Sequence, residues 1–153
     1  MKLLFVALLA CGTAGAAQAQ DWAVVGTQSA YADALDQSSI TSSGDQKAAW
    51  TMAVWRQTQQ AEGISFDYGV HREIFDCFQG RRRTVAIHVY SFDLPAPVYS
   101  GEMDGEWTSF TPGTVGDGLY QAVCAGRRLS SDGPAQTPDF ARAVRRDLEL
   151  GRY

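Results

Sequence analysis

Much of the chain alternates between hydrophobic and polar residues with a period of two, which is the pattern of half-buried β-strands. Three early segments show it and are predicted to be strands or extended stretches: residues 21–26, 29–35 and 47–57. In the third of these, Trp50, Met52 and Val54 fall on one face. A mostly polar segment interrupts the pattern, and we predict a turn over residues 37–40 followed by a loop over 41–45.

A β-hairpin is predicted over residues 70–92. Its first strand belongs to a longer candidate over residues 64–78, one face of which carries His71, Glu73, Phe75 and Cys77. Gln79 and Gly80 supply the turn, and residues 84–92 supply the returning strand.

Two helices are predicted after the strands. The first follows Thr114 as N-cap and ends near Gly126, with apolar residues at helical spacing: Val115, Leu119, Ala122 and Val123. The second spans residues 138–150 after Thr137 as cap, with the apolar stripe Phe140, Val144 and Leu148. Its opposite face carries Arg142, Arg145 and Arg146. These elements predict an α+β fold, an antiparallel β-sheet with a short helix and an extra C-terminal helix.

The N-terminus has the pattern of a secretory signal peptide. Lys2 precedes an apolar run over residues 3–10, which is too short to span a bilayer, and Ala17 and Ala19 form a cleavage site. In a competing interpretation, Cys11 is lipidated and anchors the protein to a membrane. We therefore predict export to the periplasm or cell surface, with three parts: a signal peptide over 1–19, a domain over 20–129, and a linker with an amphipathic helix over 130–153.

Cleavage after residue 19 would leave two cysteines, Cys77 and Cys124, which lie 47 positions apart. An even cysteine count in an oxidising compartment predicts a disulfide, which would tether the first helix to the strand that carries Cys77. Closing a loop of this size stabilises by about 4 kcal/mol in the chain-entropy model. The alternative is a pair of free thiols, one of them nucleophilic.

The charge pattern points to one candidate binding site. The 153 residues carry a formal net charge of −4, which does not favour nucleic acid as a partner. Against this background Arg81, Arg82 and Arg83 form a basic cluster next to the predicted turn. The cluster is a candidate site for a protein or an acidic polymer. The alternative is a solvated turn that blunts edge-to-edge association.

Catalytic and metal-binding signatures are weak in this sequence. It contains no Gly-x-Ser-x-Gly, no phosphate-binding loop and no Cys-x-x-Cys. His71 and Glu73 share a strand face and His88 lies on the next strand, but metal sites usually require three or four ligands at suitable spacing. We predict no catalytic residue, no metal and no cofactor.

An ordered set of short motifs resembles the surface-adhesin protein E family of Gram-negative bacteria. The set runs from Trp22 to about Gly126 and includes Tyr31-Ala32-Asp33, Ser38-Ser39-Ile40, Asp76-Cys77, Gly80-Arg81-Arg82-Arg83, Pro112-Gly113-Thr114 and Val123-Cys124. The resemblance implies an antiparallel sheet with a disulfide-tethered helix, and an exported protein that binds host proteins such as vitronectin and laminin and can form a homodimer.

The function predicted from these observations is an exported, non-enzymatic binding protein similar to adhesin E. The alternative is a periplasmic accessory protein that supports envelope assembly or binds a small ligand. Neither hypothesis names the ligand, because binding specificity depends on individual sites and not on the fold.

Overall fold

A computed structural model, which describes residues 20–133 and 135–153, places seven strands in one antiparallel sheet. The strands are β1 (Trp22–Thr27), β2 (Tyr31–Ser43), β3 (Gln46–Ala61), β4 (Ile64–Asp76), β5 (Arg81–Tyr90), β6 (Tyr99–Glu102) and β7 (Thr108–Ser109). The helices are α1 (Val115–Val123) and α2 (Thr137–Glu149). Strands β1 to β6 lie side by side in chain order, and β7 pairs with the start of β5. The α+β fold with an antiparallel sheet is confirmed.

The sheet buries apolar residues on both faces, because alternate side chains of β2, β3 and β4 point in opposite directions. One face, here called the α2 face, carries Ala34, Met52 and Val70, which are neighbours across three strands. The other, the α1 face, carries Leu35 and Phe75. Each face is named for the helix that covers part of it, so the sheet is the middle layer of three.

Helix α2 packs on the sheet through Ala141, Val144 and Leu148, all of them buried. They join a cluster centred on Trp22, whose ring stacks on Phe140 with centroids 5.9 Å apart. The predicted apolar stripe is therefore the face that docks. The predicted cap is wrong by one position: Gln136 is the N-cap, and the Thr137 hydroxyl donates to Gln20 Oε1 instead.

Arg145, predicted to lie on the face opposite the apolar stripe, is instead turned toward the sheet, so that prediction is wrong. Its side chain is only 17% exposed and forms an ion pair with Asp67, whose side chain is 5% exposed. Asp67 also accepts hydrogen bonds from Thr58 Oγ1 and from the Phe92 backbone N–H, both at 2.7 Å. Because one buried carboxylate bonds β3, α2 and the segment after β5, it fixes the helix relative to the sheet.

Strand β2 is longer than the polar composition of residues 37–45 predicted. It continues to Ser43 through a bulge between Asp36 and Thr41, and the chain turns at Gly44. Buried Asp36 accepts the Ser38 backbone N–H at 3.0 Å and its hydroxyl at 2.6 Å. These polar side chains form hydrogen bonds with the irregular backbone inside the strand, so the polar segment does not end the strand.

The predicted disulfide is confirmed. Cys77 follows β4 and Cys124 follows α1, and the bond joins them with Cα atoms 5.4 Å apart. Thr114 is the N-cap of helix α1 as predicted, and its Oγ1 accepts a hydrogen bond from the Asp117 N–H at 3.3 Å. The helix approaches β1 closely, since a Cβ on Gly26 would lie 2.8 Å from Val115 Cγ2.

The predicted signal peptide, including Cys11, lies outside the described residues. Within the described part of the chain, neither helix is long and apolar enough to cross a membrane.

Replacing Cys124 with Ser should lower the free energy of unfolding by about 2–5 kcal/mol, the usual effect of losing a native disulfide in a small secreted domain. Helix α1 has only nine residues and relies on packing and the covalent link. Amide exchange should therefore show α1 losing protection while β4 and β5 keep more of theirs. Equal loss in α1 and the strands, or two free thiols in the native exported protein, would contradict this account.

Candidate binding surface

Arg81, Arg82 and Arg83 open strand β5 and alternate between the two faces of the sheet. Arg81 and Arg83 pair with Asp76 and Ile74 on the α2 face, whereas Arg82 lies opposite Phe75 on the α1 face. The three guanidinium groups therefore do not form one contiguous charged tip.

Arg82 is held inside the fold by Glu73. Its Nη1 donates to both carboxylate oxygens, at 2.6 and 2.7 Å, and the Glu73 side chain is only 5% exposed. Breaking such a pair leaves a buried charge without a partner, which costs far more than losing a surface ion pair. The geometry gives Arg82 a structural role.

Arg81 and Arg83 both contact Trp107, with their guanidinium carbons 4.6 and 5.1 Å from the ring centroid. Arg81 is bound to Asp76, a mostly buried carboxylate, at 3.2 Å. The carboxylate that faces Arg83, also at 3.2 Å, belongs to Asp104 and is 97% exposed. A surface pair of this kind contributes little stability, so Arg83 can exchange its partner at little cost.

A second polar group lies on the α1 face around Glu73 and Arg82, where Asp33 and His71 are half-buried. Burial, aided by the negative charge of Glu73 and opposed by Arg82, raises the pKa of Asp33 to about 6. Burial and the Arg82 charge lower the pKa of His71 to about 4. At neutral pH His71 is therefore uncharged and Asp33 is mostly ionised.

The histidines weighed as metal ligands are separated by the sheet. His71 shares the α1 face with Glu73, but His88 pairs with Val70 on the α2 face. Within residues 20–133 and 135–153 no three His, Cys, Asp or Glu side chains are grouped so that they could hold a metal ion.

A cavity of about 870 Å³, here called the aromatic cavity, opens on the α2 face beside α2. The sheet forms its floor, and the segment after β5 and the first turn of α2 form its walls. The residues that line it include Trp50, Tyr68, His88, Tyr90, Phe92 and Arg142. Tyr68 stacks on Tyr90 with centroids 4.8 Å apart and planes at 6°. Burial raises the pKa of Tyr68 to about 12, so its phenol stays neutral across the physiological range.

The aromatic cavity lies on the same face of the sheet as Arg72, Arg81 and Arg83. Arg72 lies over Trp50 at 5.5 Å from the ring centroid, and its Nη2 donates to Thr41 Oγ1 at 3.4 Å. Because Arg72, Arg81 and Arg83 are all on the α2 face, they form a half-buried strip between Trp50, which lines the cavity, and Trp107.

Residues 22–125 match the family model described as surface-adhesin protein E. The chain belongs to the surface-adhesin protein E family. No curated protein matches the chain. The match covers β1 to α1 and includes both disulfide cysteines, so it extends over most of the described residues.

The family name indicates a surface adhesin, an exported protein that binds molecules outside the cell. In this adhesin E family member, helix α2 lies beyond the matched region. The aromatic cavity is thus built partly from the family domain and partly from a segment that the family model does not describe.

Sequence reasoning missed the aromatic cavity, although the aromatic residues themselves were visible. Counting back from the turn that Gly80 forms would place Tyr68 opposite Val89. Strand β5 contains a bulge at Val85, which shifts the register by one so that Tyr68 faces Tyr90. A one-residue shift moves a side chain to the other face, which is why the pair could not be found by counting.

Replacing Asp33 with Asn should make stability fall more steeply with acidification. Between pH 7 and 4.5 the unfolded chain protonates His71 and the folded chain does not, which destabilises the native state. Asp33 has the opposite effect on stability, because its pKa in the folded chain lies above the ordinary value near 4. On acidification the folded chain therefore protonates Asp33 before the unfolded chain does, which stabilises the native state. Without Asp33, acidification from pH 7 to 4.5 should lower the free energy of unfolding by about 1–2 kcal/mol more than in the unmodified protein.

Urea unfolding of both proteins at pH 7 and 4.5 measures this difference directly. A His71→Gln variant serves as the control, since it should lose less stability on acidification than the unmodified chain. Identical pH dependence for Asp33→Asn and the unmodified protein would show that Asp33 does not titrate near pH 6.

Proposed function

We propose that the chain is an exported, non-enzymatic adhesin that binds a protein or an acidic polymer through an arginine–tryptophan surface formed by Arg72, Arg83 and Trp107. The observation that supports this most directly is the pairing of Arg83 with a fully solvated carboxylate beside an aromatic ring. Arginine and tryptophan are the residue types most enriched among energetically dominant interface contacts.

Of the three arginines in the basic cluster, only Arg83 is free to bind a partner without breaking a buried ion pair. Arg81 and Arg82 bind mostly buried carboxylates, so a partner would have to compete with contacts that hold the fold together. Arg83 gives up only a weak surface contact when it binds an acidic group. Trp107 holds its guanidinium in place, which lowers the conformational entropy lost on binding.

The non-enzymatic part of the proposal is supported by the state of the groups that could act as nucleophile or base. Both described cysteines are oxidised in the disulfide, and only a thiolate is reactive. His71 is half-buried and neutral beside Arg82. His88 Nδ1 lies 2.9 Å from Ser100 Oγ, but no carboxylate among the described residues hydrogen bonds that imidazole to complete a catalytic triad.

Replacing Arg83 with Ser should weaken binding about fivefold, corresponding to about 1 kcal/mol for one partly exposed charge contact. The probes are immobilised laminin, vitronectin and heparin, measured by surface plasmon resonance at low and high salt. Binding should become less salt-dependent as well, because one charge is lost. The matched control is Arg146→Ser, an exposed arginine on α2 that lies outside this surface.

Equal affinities for the Arg83→Ser and Arg146→Ser variants would contradict the assignment of this surface. No binding to any of the three probes would contradict the adhesin proposal itself. Protease treatment of intact cells distinguishes the cell surface from the periplasm. A surface adhesin is digested, whereas a periplasmic accessory protein is protected.

A further inference from the structure

We propose that the aromatic cavity is a binding site for an uncharged oligosaccharide. The cavity adjoins the proposed adhesin surface at Trp50, over which Arg72 lies, but its lining includes neither Arg83 nor Trp107. This inference therefore adds a ligand class to the proposed function and does not depend on it. At about 870 Å³ the cavity is within the range of specific small-ligand sites, which combine aromatic walls with a few polar groups.

The walls of the cavity suit a ring with one apolar face. Trp50 and Tyr90 are half-buried side chains at the floor, and Phe92 forms one side. Each of these rings has a neighbour on one face, since Tyr68 stacks on Tyr90, Arg72 lies over Trp50 and Arg142 lies over Phe92. The C–H groups on one face of a sugar ring would pack on the ring edges and faces that line the cavity, while the hydroxyls at the sugar's edge remain free. Tyrosine suits both parts of a sugar, because its apolar ring packs on C–H groups and its hydroxyl donates and accepts hydrogen bonds.

The charged groups that line the cavity are of both signs, which favours an uncharged ligand that can form hydrogen bonds. Asp93 and Asp139 contribute two exposed carboxylates, and Arg142 contributes one exposed guanidinium. Both carboxylates would repel a polyanion, and Arg142 would repel a polycation. A fully apolar ligand would remove water from all three charges without replacing their hydrogen bonds.

The same groups favour a sugar over a proline-rich peptide, the other common ligand of aromatic grooves. Carboxylates only accept hydrogen bonds, and proline has no N–H to donate to them. Sugar hydroxyls donate to carboxylates and accept from guanidinium groups. Arg142 is already positioned, since it lies 4.9 Å from the Phe92 ring centroid and donates to the Phe92 carbonyl.

The test applies the purified exported chain to an array of oligosaccharides that includes neutral, sialylated and sulfated members, and to a decaproline peptide in solution. We expect neutral members to bind, and isothermal titration of a binding sugar should show Asp93→Ala weakening affinity about tenfold, as for loss of a hydrogen bond to a charged group. Asp45→Ala, an exposed aspartate in the β2–β3 turn, is the matched control and should bind normally.

A second measurement is independent of the variants. The NMR signals of Trp50 and Tyr90 should shift with the bound sugar, and those of Tyr99, an exposed tyrosine on β6, should not. The proposal is overturned if no neutral sugar binds, or if the Asp93 and Asp45 variants bind a sugar with equal affinity. It is also overturned if the Tyr99 signals shift in place of those of Trp50, or if decaproline is the ligand that occupies the cavity. Arg83→Ser should leave sugar binding unchanged, so failure here is distinguishable from failure of the proposed function.

Discussion

A single sheet with apolar side chains on both faces must be covered on both, and this constraint organises the whole molecule. The chain meets it with one helix for each face, both placed after the last strand. Neither helix is long enough to be stable alone, so each is fixed by a specific link. The Cys77–Cys124 disulfide holds α1, and the buried Arg145–Asp67 ion pair holds α2.

The two surfaces proposed to bind ligands lie where helix α2 does not cover the sheet. Helix α2 covers only part of its face, and the uncovered remainder forms the aromatic cavity and the strip that leads to Trp107. The family domain accounts for the sheet and α1, whereas α2 lies beyond residue 125. A segment outside the family match therefore determines where the cavity ends, and the ligand specificity of this member need not be that of its relatives.

The elements that were predicted correctly are those whose formation depends on residues close together in the sequence. Period-two alternation located β3 and β4, Gly80 marked the hairpin turn, and the cysteine count predicted the disulfide. The failures have non-local causes. The bulge at Val85 and the Arg145–Asp67 pair depend on strands and helices distant in sequence, so no local pattern signals them. The arginine cluster was visible in the sequence, but its division between two faces depends on strand register.

The central claim is that α2 is an integral layer of the fold, and deletion of residues 136–153 tests it most directly. Trp22, Met52 and Val54 would then lose the apolar cover of Val144 and Leu148. Calorimetric unfolding should show a loss of at least about 3–6 kcal/mol, the usual value of burying two such side chains, because buried Asp67 also loses its Arg145 partner. Amide protection in β2 and β3 should fall as well. A truncated chain that unfolds at the same temperature with unchanged protection in those strands would contradict the account.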